Sequence, residues 1–305
     1  MRHSTIESLE SRQMMTTSSI DAAGTLNITG SSGPDIWVAT TSPDMKEFVL
    51  YDIGMGGVKV EEVRLPYSSF KKINLHANNG NDNITIDFVS KAMVVFGDAG
   101  NDVINGSKRA DYIFGGKGND QINGRGGNDF LFGDTGNDLF LETTDSGTDR
   151  YAGGAGTDRI TYALHDNDVT IYLDGSATSG EAGEKDTVLS DVENATGGRG
   201  NDLIVGNAGA NILLGGRGKD KITGMAGNDL VCGQEDNDLL YGGSGSDIIV
   251  GGHGHDTMWA LDSAGGDTVW GDDVNVYISD WFDIAHLDKS TTDHAFATGK
   301  NYYNV

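Results

Sequence analysis

A single apolar position recurs every nine residues through two stretches of the chain. In the first it is held by Ile104, Ile113, Ile122, Leu131 and Phe140, and in the second by Ile204, Leu213, Ile222, Val231, Leu240, Ile249 and Met258. Two residues before each stands an acid or its amide: Asp102, Asp111, Asp120, Asp129 and Asp138, then Asp202, Asn211, Asp220, Asp229, Asp238, Asp247 and Asp256. The rest of each nine is a Gly-Gly-x-Gly-x lead-in, complete with its aspartate in the copies that begin at Gly115, Gly153, Gly197, Gly215, Gly242 and Gly251. A six-residue glycine-rich lead-in forms neither helix nor strand, because its glycines favour positive φ and tight turns. The three residues after it alternate outward, inward, outward like a short strand. Turn, strand, turn, strand closes one coil of about eighteen residues, and coils stack through parallel backbone bonds at roughly 4.8 Å. The pattern therefore predicts an all-β chain, a parallel β-solenoid whose core is one aliphatic side chain deep.

Stacking also puts the aspartates of every second repeat in a column, about one strand spacing apart. Like charges at that separation repel strongly unless a cation lies between them. Carboxylates and turn carbonyls are hard oxygen donors, which suit Ca²⁺ better than zinc or copper.

The repeat resembles the glycine-rich nonapeptide of the RTX (repeats-in-toxin) family, the bacterial hemolysin-type calcium-binding proteins. The resemblance implies a parallel β-roll with Ca²⁺ held in the glycine-rich turns, on the order of ten ions at six to eight oxygens each. Carried onto this chain, the side-chain ligands are Asp102, Asp120, Asp129, Asp138, Asp158, Asp202, Asn211, Asp220, Asp229, Asp238, Asp247, Asp256 and Asp267. The turn backbone would contribute around Gly116, Gly118, Gly154, Gly156, Gly198, Gly200, Gly216, Gly218, Gly243, Gly245, Gly252 and Gly254. Turns two repeats apart, such as those of Asp220 and Asp238, would share an ion. Asn211 would offer a neutral oxygen, and Asp236 adds an acid where a fourth glycine belongs. The copy at 106–111 carries Arg109 in place of its fourth glycine and is assigned no ion.

The phase of the repeat divides the chain. Residues 1–21 read as a leader or disordered N-terminus, in which Leu9–Met15 resembles the Leu-Glu-Pro-Arg-x-Leu-Leu leader of some large bacterial surface proteins, with Ser11 in place of proline. Residues 22–96 alternate like strands and read as an N-terminal β cap with irregular coils, because an open parallel edge invites pairing with another chain. The first array spans 97–158. The period breaks over 159–196, which reads as inserted larger coils, since so short a segment cannot build its own core. The second array spans 197–270 and decays through a copy ending at Asp267. Residues 271–305, with Trp281, Phe282, Tyr302 and Tyr303, read as a C-terminal cap.

Composition narrows the function. The net charge is −25, with 46 acids against 21 bases, which argues against nucleic acid or an anionic membrane as partner. No apolar run reaches membrane-spanning length. One cysteine, Cys232, excludes an internal disulfide, so bound Ca²⁺ would be the staple of an extracellular or cell-surface protein, whose export route stays open. There is no His-Glu-x-x-His and no Gly-x-Ser-x-Gly. Asp166, Asp168 and Asp174 read as solvated turn acids, and His253 and His255 as exposed turn residues.

The expectation is a calcium-binding extracellular β-roll with a structural, adhesive or matrix role, folding on Ca²⁺ binding and without catalysis. The alternative is a secreted enzyme of the same family, acting on polysaccharide or protein through an unrecognised site in 22–96 or 159–196. Splitting outward positions by parity gives one apolar face per array: Tyr112, Phe114, Phe130 and Phe132 in the first, and Ile212, Leu214, Leu230, Cys232, Ile248 and Val250 in the second. Such faces should be covered, by the 159–196 excursion, by the C-terminal tail, by a cell-surface or matrix polymer, or by self-association.

Overall fold

A computed structural model describes residues 17–53, 59–144, 147–260 and 266–271, and the backbone of the strands Asn275–Ile278, Ile284–Leu287 and His294–Ala297. The leader-like segment, Trp281, Phe282, Tyr302 and Tyr303 lie outside the described residues. Among the described residues the architecture is all-β, with one 3₁₀ turn at Tyr67–Ser69. Two sheets, of sixteen and fourteen strands, face each other along the molecule.

Consecutive repeats alternate between the sheets, so each strand pairs in parallel with the one a full coil away. Ile113 lies beside Leu131, and Ile222 beside Leu240, in the expected eighteen-residue register. The apolar row is the core: Ile104, Ile113, Ile122, Leu131 and Phe140, like Ile204 through Met258, are at most 1 % exposed. One side chain per strand is a thin core, so the turns must supply much of what holds the coils in register.

The N-terminal cap ends the parallel stack with antiparallel strands. Thr17–Ile20 pairs antiparallel with Thr25–Thr29 on one sheet, and Ile36–Thr41, Glu47–Ile53 and Lys59–Pro66 form an antiparallel meander on the other. At 159–196 the excursion is one enlarged coil. Val169–Tyr172, Ala177–Glu181 and Asp186–Val188 enter the sixteen-stranded sheet side by side, while the opposite sheet passes the same place with Asn194–Thr196 alone. Ala177–Glu181 runs antiparallel to both neighbours, a reversal that nine-residue counting cannot reveal. Past residue 270 parallel pairing continues through the three C-terminal strands, where an irregular cap was expected.

The excursion thus widens a sheet and does not lie over one. Tyr112, Phe130 and Ile248 are 43 %, 37 % and 46 % exposed. On the first-array face the rings form a ladder: His76, Phe96, Phe114 and Phe132 stack in sequence with centroids 4.2, 5.0 and 4.7 Å apart. Ring spacing follows strand spacing, so this ladder is a direct product of the parallel register.

Candidate metal centres in the turns

Left-handed backbone sorts the repeat turns into two kinds. At 97–102, 115–120, 124–129, 133–138 and 153–158, and again at 215–220, 224–229, 233–238, 242–247 and 251–256, the second and fourth residues both have positive φ. Glycine fills most of these places, but Asp98, Arg125, Asp134, Met225, Gln234 and Asp236 adopt the same region, with φ from 62° to 85°. At 30–35, 106–111, 197–202 and 206–211 neither residue does. We call the first kind open and the second closed.

An open turn divides the work of its aspartate between two oxygens. Oδ1 accepts a backbone N–H from the matching aspartate one coil earlier: Asp102 donates to Asp120, Asp120 to Asp138, Asp202 to Asp220 and Asp220 to Asp238, each at 2.8 Å. Oδ2 has no hydrogen-bond partner in Asp102, Asp120, Asp129, Asp138, Asp158, Asp220, Asp229, Asp238 and Asp256, although these side chains are at most 3 % exposed. Asp247 and Asp267 occupy equivalent column places, Asp247 N–H donating to Asp267 Oδ1 at 2.9 Å. A buried anionic oxygen without a partner is costly, and a cation removes the cost.

The first glycine of the turn shows where a cation fits. A Cβ on Gly97, Gly215 or Gly224 would overlap the Oδ2 of its own turn's aspartate and the carbonyl oxygen of the first glycine one coil later. Carboxylate and carbonyl oxygens thus converge on one spot between successive coils, which is the donor set Ca²⁺ takes. Among the described residues no group of three or more His, Cys, Asp or Glu side chains is placed to hold a metal, and the oxygens beside each carboxylate are backbone carbonyls. Without a cation, burial raises the aspartate pKa values, with neighbouring aspartates adding to it: Asp102 to about 7, Asp220 to about 8 and Asp238 to about 7. In Asp129, burial and then Asp149 and Asp111 push the carboxyl to about 9.

Closed turns satisfy the sixth side chain internally. The second-residue N–H donates to it in every case: Ser31 to Asp35 Oδ2 at 3.0 Å, Ser107 to Asp111 Oδ2 at 2.8 Å, Gly198 to Asp202 Oδ2 at 2.6 Å and Asn207 to Asn211 Oδ1 at 2.9 Å. Each closed turn heads a run and donates its own sixth-residue N–H onward, to Asp82, Asp129, Asp220 or Asp229. Two expected ligand sets differ from the open turns in these bonds. Asp202, with Gly198 and Gly200, has its inner oxygen occupied although its motif is complete. Asn211 keeps a neutral oxygen at the inner place, where its Oδ1 accepts Asn207 N–H, and its Nδ2 donates to Glu193 O of the preceding coil at 2.7 Å.

A second column was missed in the sequence. The residue before the aspartate is often asparagine, and its Oδ1 accepts the N–H of the residue one coil later. Asn81 so binds Asn101, Asn101 binds Asn119, Asn119 binds Asn137 and Asn137 binds Thr157, at 2.8 to 2.9 Å. Asp236 belongs to this outer scaffold as well, its Oδ2 accepting Gly218 N–H at 3.1 Å.

Other candidates are accounted for locally. Asp166 pairs with Arg199 at 2.8 Å on the surface, Asp168 accepts Asn201 N–H at 2.7 Å, and Asp174 accepts Ser176 N–H at 2.8 Å. His253 and His255 are exposed. At the first-glycine place of the 142–149 turn stands Glu142, buried and bonded to the Tyr151 hydroxyl, with Asp149 and Asp186 nearby. Burial first, then those carboxylates, raises Glu142 to about 9.

The open-turn assignment separates two substitutions. Asp229→Ala should raise the Ca²⁺ concentration needed for folding by about tenfold or more, the loss of one charged ligand. Asp166→Ala should leave it within about twofold, as for a surface pair. Ca²⁺ titration followed by circular dichroism checks both, and equal shifts would contradict the assignment.

A family model described as the RTX calcium-binding nonapeptide repeat (4 copies) matches residues 94–120, 105–140, 143–161, 196–231 and 233–262. No curated protein matches the chain.

Proposed function

The chain carries RTX calcium-binding nonapeptide repeats on a β-solenoid, and from that premise we propose that it is an extracellular, non-catalytic protein whose β-roll is a calcium-set structural or adhesive element. The observation that carries this reading is the partnerless, buried Oδ2 of Asp102, Asp120, Asp129, Asp138, Asp158, Asp220, Asp229, Asp238 and Asp256. Bound Ca²⁺ would supply the positive charge these oxygens lack and tie each coil to the next. The chain's own contribution is to hold carboxylate and carbonyl oxygens converged, with glycine wherever a Cβ would fill the space. About ten ions would offset most of the charge of −25. Extracellular calcium modules work at about 10⁻⁴–10⁻³ M, so such a chain would stay expanded before export and set in shape afterwards.

The adhesive part of the proposal rests on the outer faces. Ile212, Leu214, Leu230, Cys232, Ile248 and Val250 make an uncharged block on a strongly acidic protein. A surface polymer or a second copy can meet that block without facing carboxylates. The double substitution Leu230→Thr, Ile248→Thr should reduce self-association or polymer binding severalfold and leave Ca²⁺-dependent folding unchanged. Sedimentation and surface-binding assays in Ca²⁺ read this directly; unchanged values in both would remove the face from the proposal.

A further inference from the structure

Each array carries a groove on the outer side of the sixteen-stranded sheet. In the first array it runs beside Phe96 and Phe114, whose ring faces are covered by the rest of their ladder, and Asp98 and Asp134 flank it. The second differs on both counts. It is shallow, with a volume of about 380 Å³, and is lined by Lys221, Thr223, Met225, Tyr241, Gly243 and Trp259. Tyr241 stacks on Trp259 one coil later, with centroids 4.4 Å apart and planes 6° from parallel. Its neighbour one coil earlier is Thr223, which is too short to cover a ring. One face of Tyr241 is therefore left open toward the groove. Met225, 51 % exposed with φ of +82°, raises a wall there, and the glycine beside it in the next coil, Gly243, keeps the floor low. The surrounding strands are without acids. Leu203–Val205, Lys221–Ala226, Leu239–Ser244 and Thr257–Ala260 lie side by side and carry one charge among them, Lys221, on a chain of net charge −25. Cross-strand packing accounts for the Tyr241–Trp259 pair. It does not account for an open ring face in a concave place with an ammonium and a hydroxyl beside it.

We propose that this groove binds a sugar unit of a neutral polysaccharide, stacked on the open face of Tyr241, with Lys221 Nζ and Thr223 Oγ1 bonded to its hydroxyls. A pyranose ring has an apolar face of C–H groups and a rim of hydroxyls, which matches an aromatic face with polar groups at its edge. A small apolar ligand would need a deeper pocket, whereas a polymer can continue along the sheet. A polyanion would meet the repulsive field of an acidic chain, but a neutral glycan does not. The site lies on the sheet opposite the Ile212–Val250 face, so it goes beyond the adhesive reading above and requires only that the coils are folded.

Isothermal titration of the full chain in saturating Ca²⁺ tests this, with cellohexaose and mannohexaose as neutral probes and hexagalacturonate as the acidic one. A neutral hexamer should bind with a Kd below about 1 mM. Tyr241→Ala should weaken that binding about tenfold or more, and Tyr241→Phe, which keeps the ring, should leave it within about twofold. Thr223→Tyr adds a ring to the stack and covers the open face, so it should abolish binding without changing the circular dichroism in Ca²⁺. If Thr223→Tyr fails to fold, the contrast between Tyr241→Ala and Tyr241→Phe decides. The Leu230→Thr, Ile248→Thr chain, altered on the other sheet, should bind as the unaltered chain does. Loss of hexamer binding in that chain alone would move the polymer to the Ile212–Val250 face and overturn this site. No binding of either neutral hexamer, or equal binding by a folded Thr223→Tyr chain, would also overturn it. Tighter binding of hexagalacturonate would overturn the neutral class.

Discussion

Chelation of Ca²⁺ at about pH 8 should abolish most of the β-sheet signal, and acidifying the chelated chain to about pH 5 should return part of it. The first half follows from a core one side chain deep, set against columns of buried carboxylates with no counter-charge. The second half follows from the sign of the pKa shifts. In the ion-free fold, burial raises the open-turn aspartates above their unfolded value of about 3.9, to about 6 in Asp120, Asp138 and Asp229, about 7 in Asp102 and Asp238 and about 8 in Asp220. A raised folded pKa adds stability that is complete below the unfolded pKa and is lost as pH climbs through the folded one. With Asp129 raised to about 9, the ion-free roll is weakest above about pH 9 and recovers as protons replace cations. Saturating Ca²⁺ should reverse the trend, because protons then compete with the ion and acid weakens the fold. Circular dichroism across pH, with chelator and with Ca²⁺, checks both slopes. Parallel slopes would contradict the carboxylate account of the turns.

Gly136→Ala should destabilise the Ca²⁺-loaded chain by at least about 3 kcal/mol, whereas Gly209→Ala should change it by less than about 1 kcal/mol. Gly136 has φ of +139°, and a Cβ there would overlap the carbonyl of Gly118 one coil earlier. The neighbouring backbone cannot retreat without breaking the parallel ladder on either side. Gly209 sits in a closed turn without positive φ, and its nearest obstacle is Asn207 Oδ1 at 3.3 Å. Both are fourth-position glycines of the same repeat, so motif alone predicts equal effects. Denaturation midpoints in saturating Ca²⁺ distinguish the two views.

The sequence made the nine-residue phase, the aliphatic row, the eighteen-residue register and the calcium chemistry legible, because each repeats often enough to stand out. It could not separate Gly198 from Gly216. Both open a Gly-Arg-Gly-x-Asp run, yet Gly216 has φ of +119° and Gly198 lacks positive φ. What differs is place in the column, since Asp202 heads its run and Asp220 is preceded by another repeat turn. Such a distinction exists only in the stacked structure. The asparagine column was visible as a preference before the aspartate, but its role depends on which backbone N–H lies one coil away. The turn ending at Asp82 shows in the sequence only as a weak repeat, Asn79-Gly80-Asn81-Asp82, because Ala77 and Asn78 stand in the first two glycine places; that Asn78 and Gly80 keep the left-handed backbone is visible only in the structure. The reversal at Ala177–Glu181 leaves no periodic trace, because antiparallel strands need only a turn between them.

Small-angle scattering of the full chain, titrated with Ca²⁺ and in parallel with Mg²⁺, tests most directly whether calcium holds the turns. Ca²⁺ at millimolar concentration should contract the chain from an expanded coil to an elongated, folded rod. Equal Mg²⁺ should not, since it prefers tighter octahedral sites and gives up water reluctantly. The same radius of gyration in chelator and in Ca²⁺, or equal contraction by Mg²⁺, would contradict it.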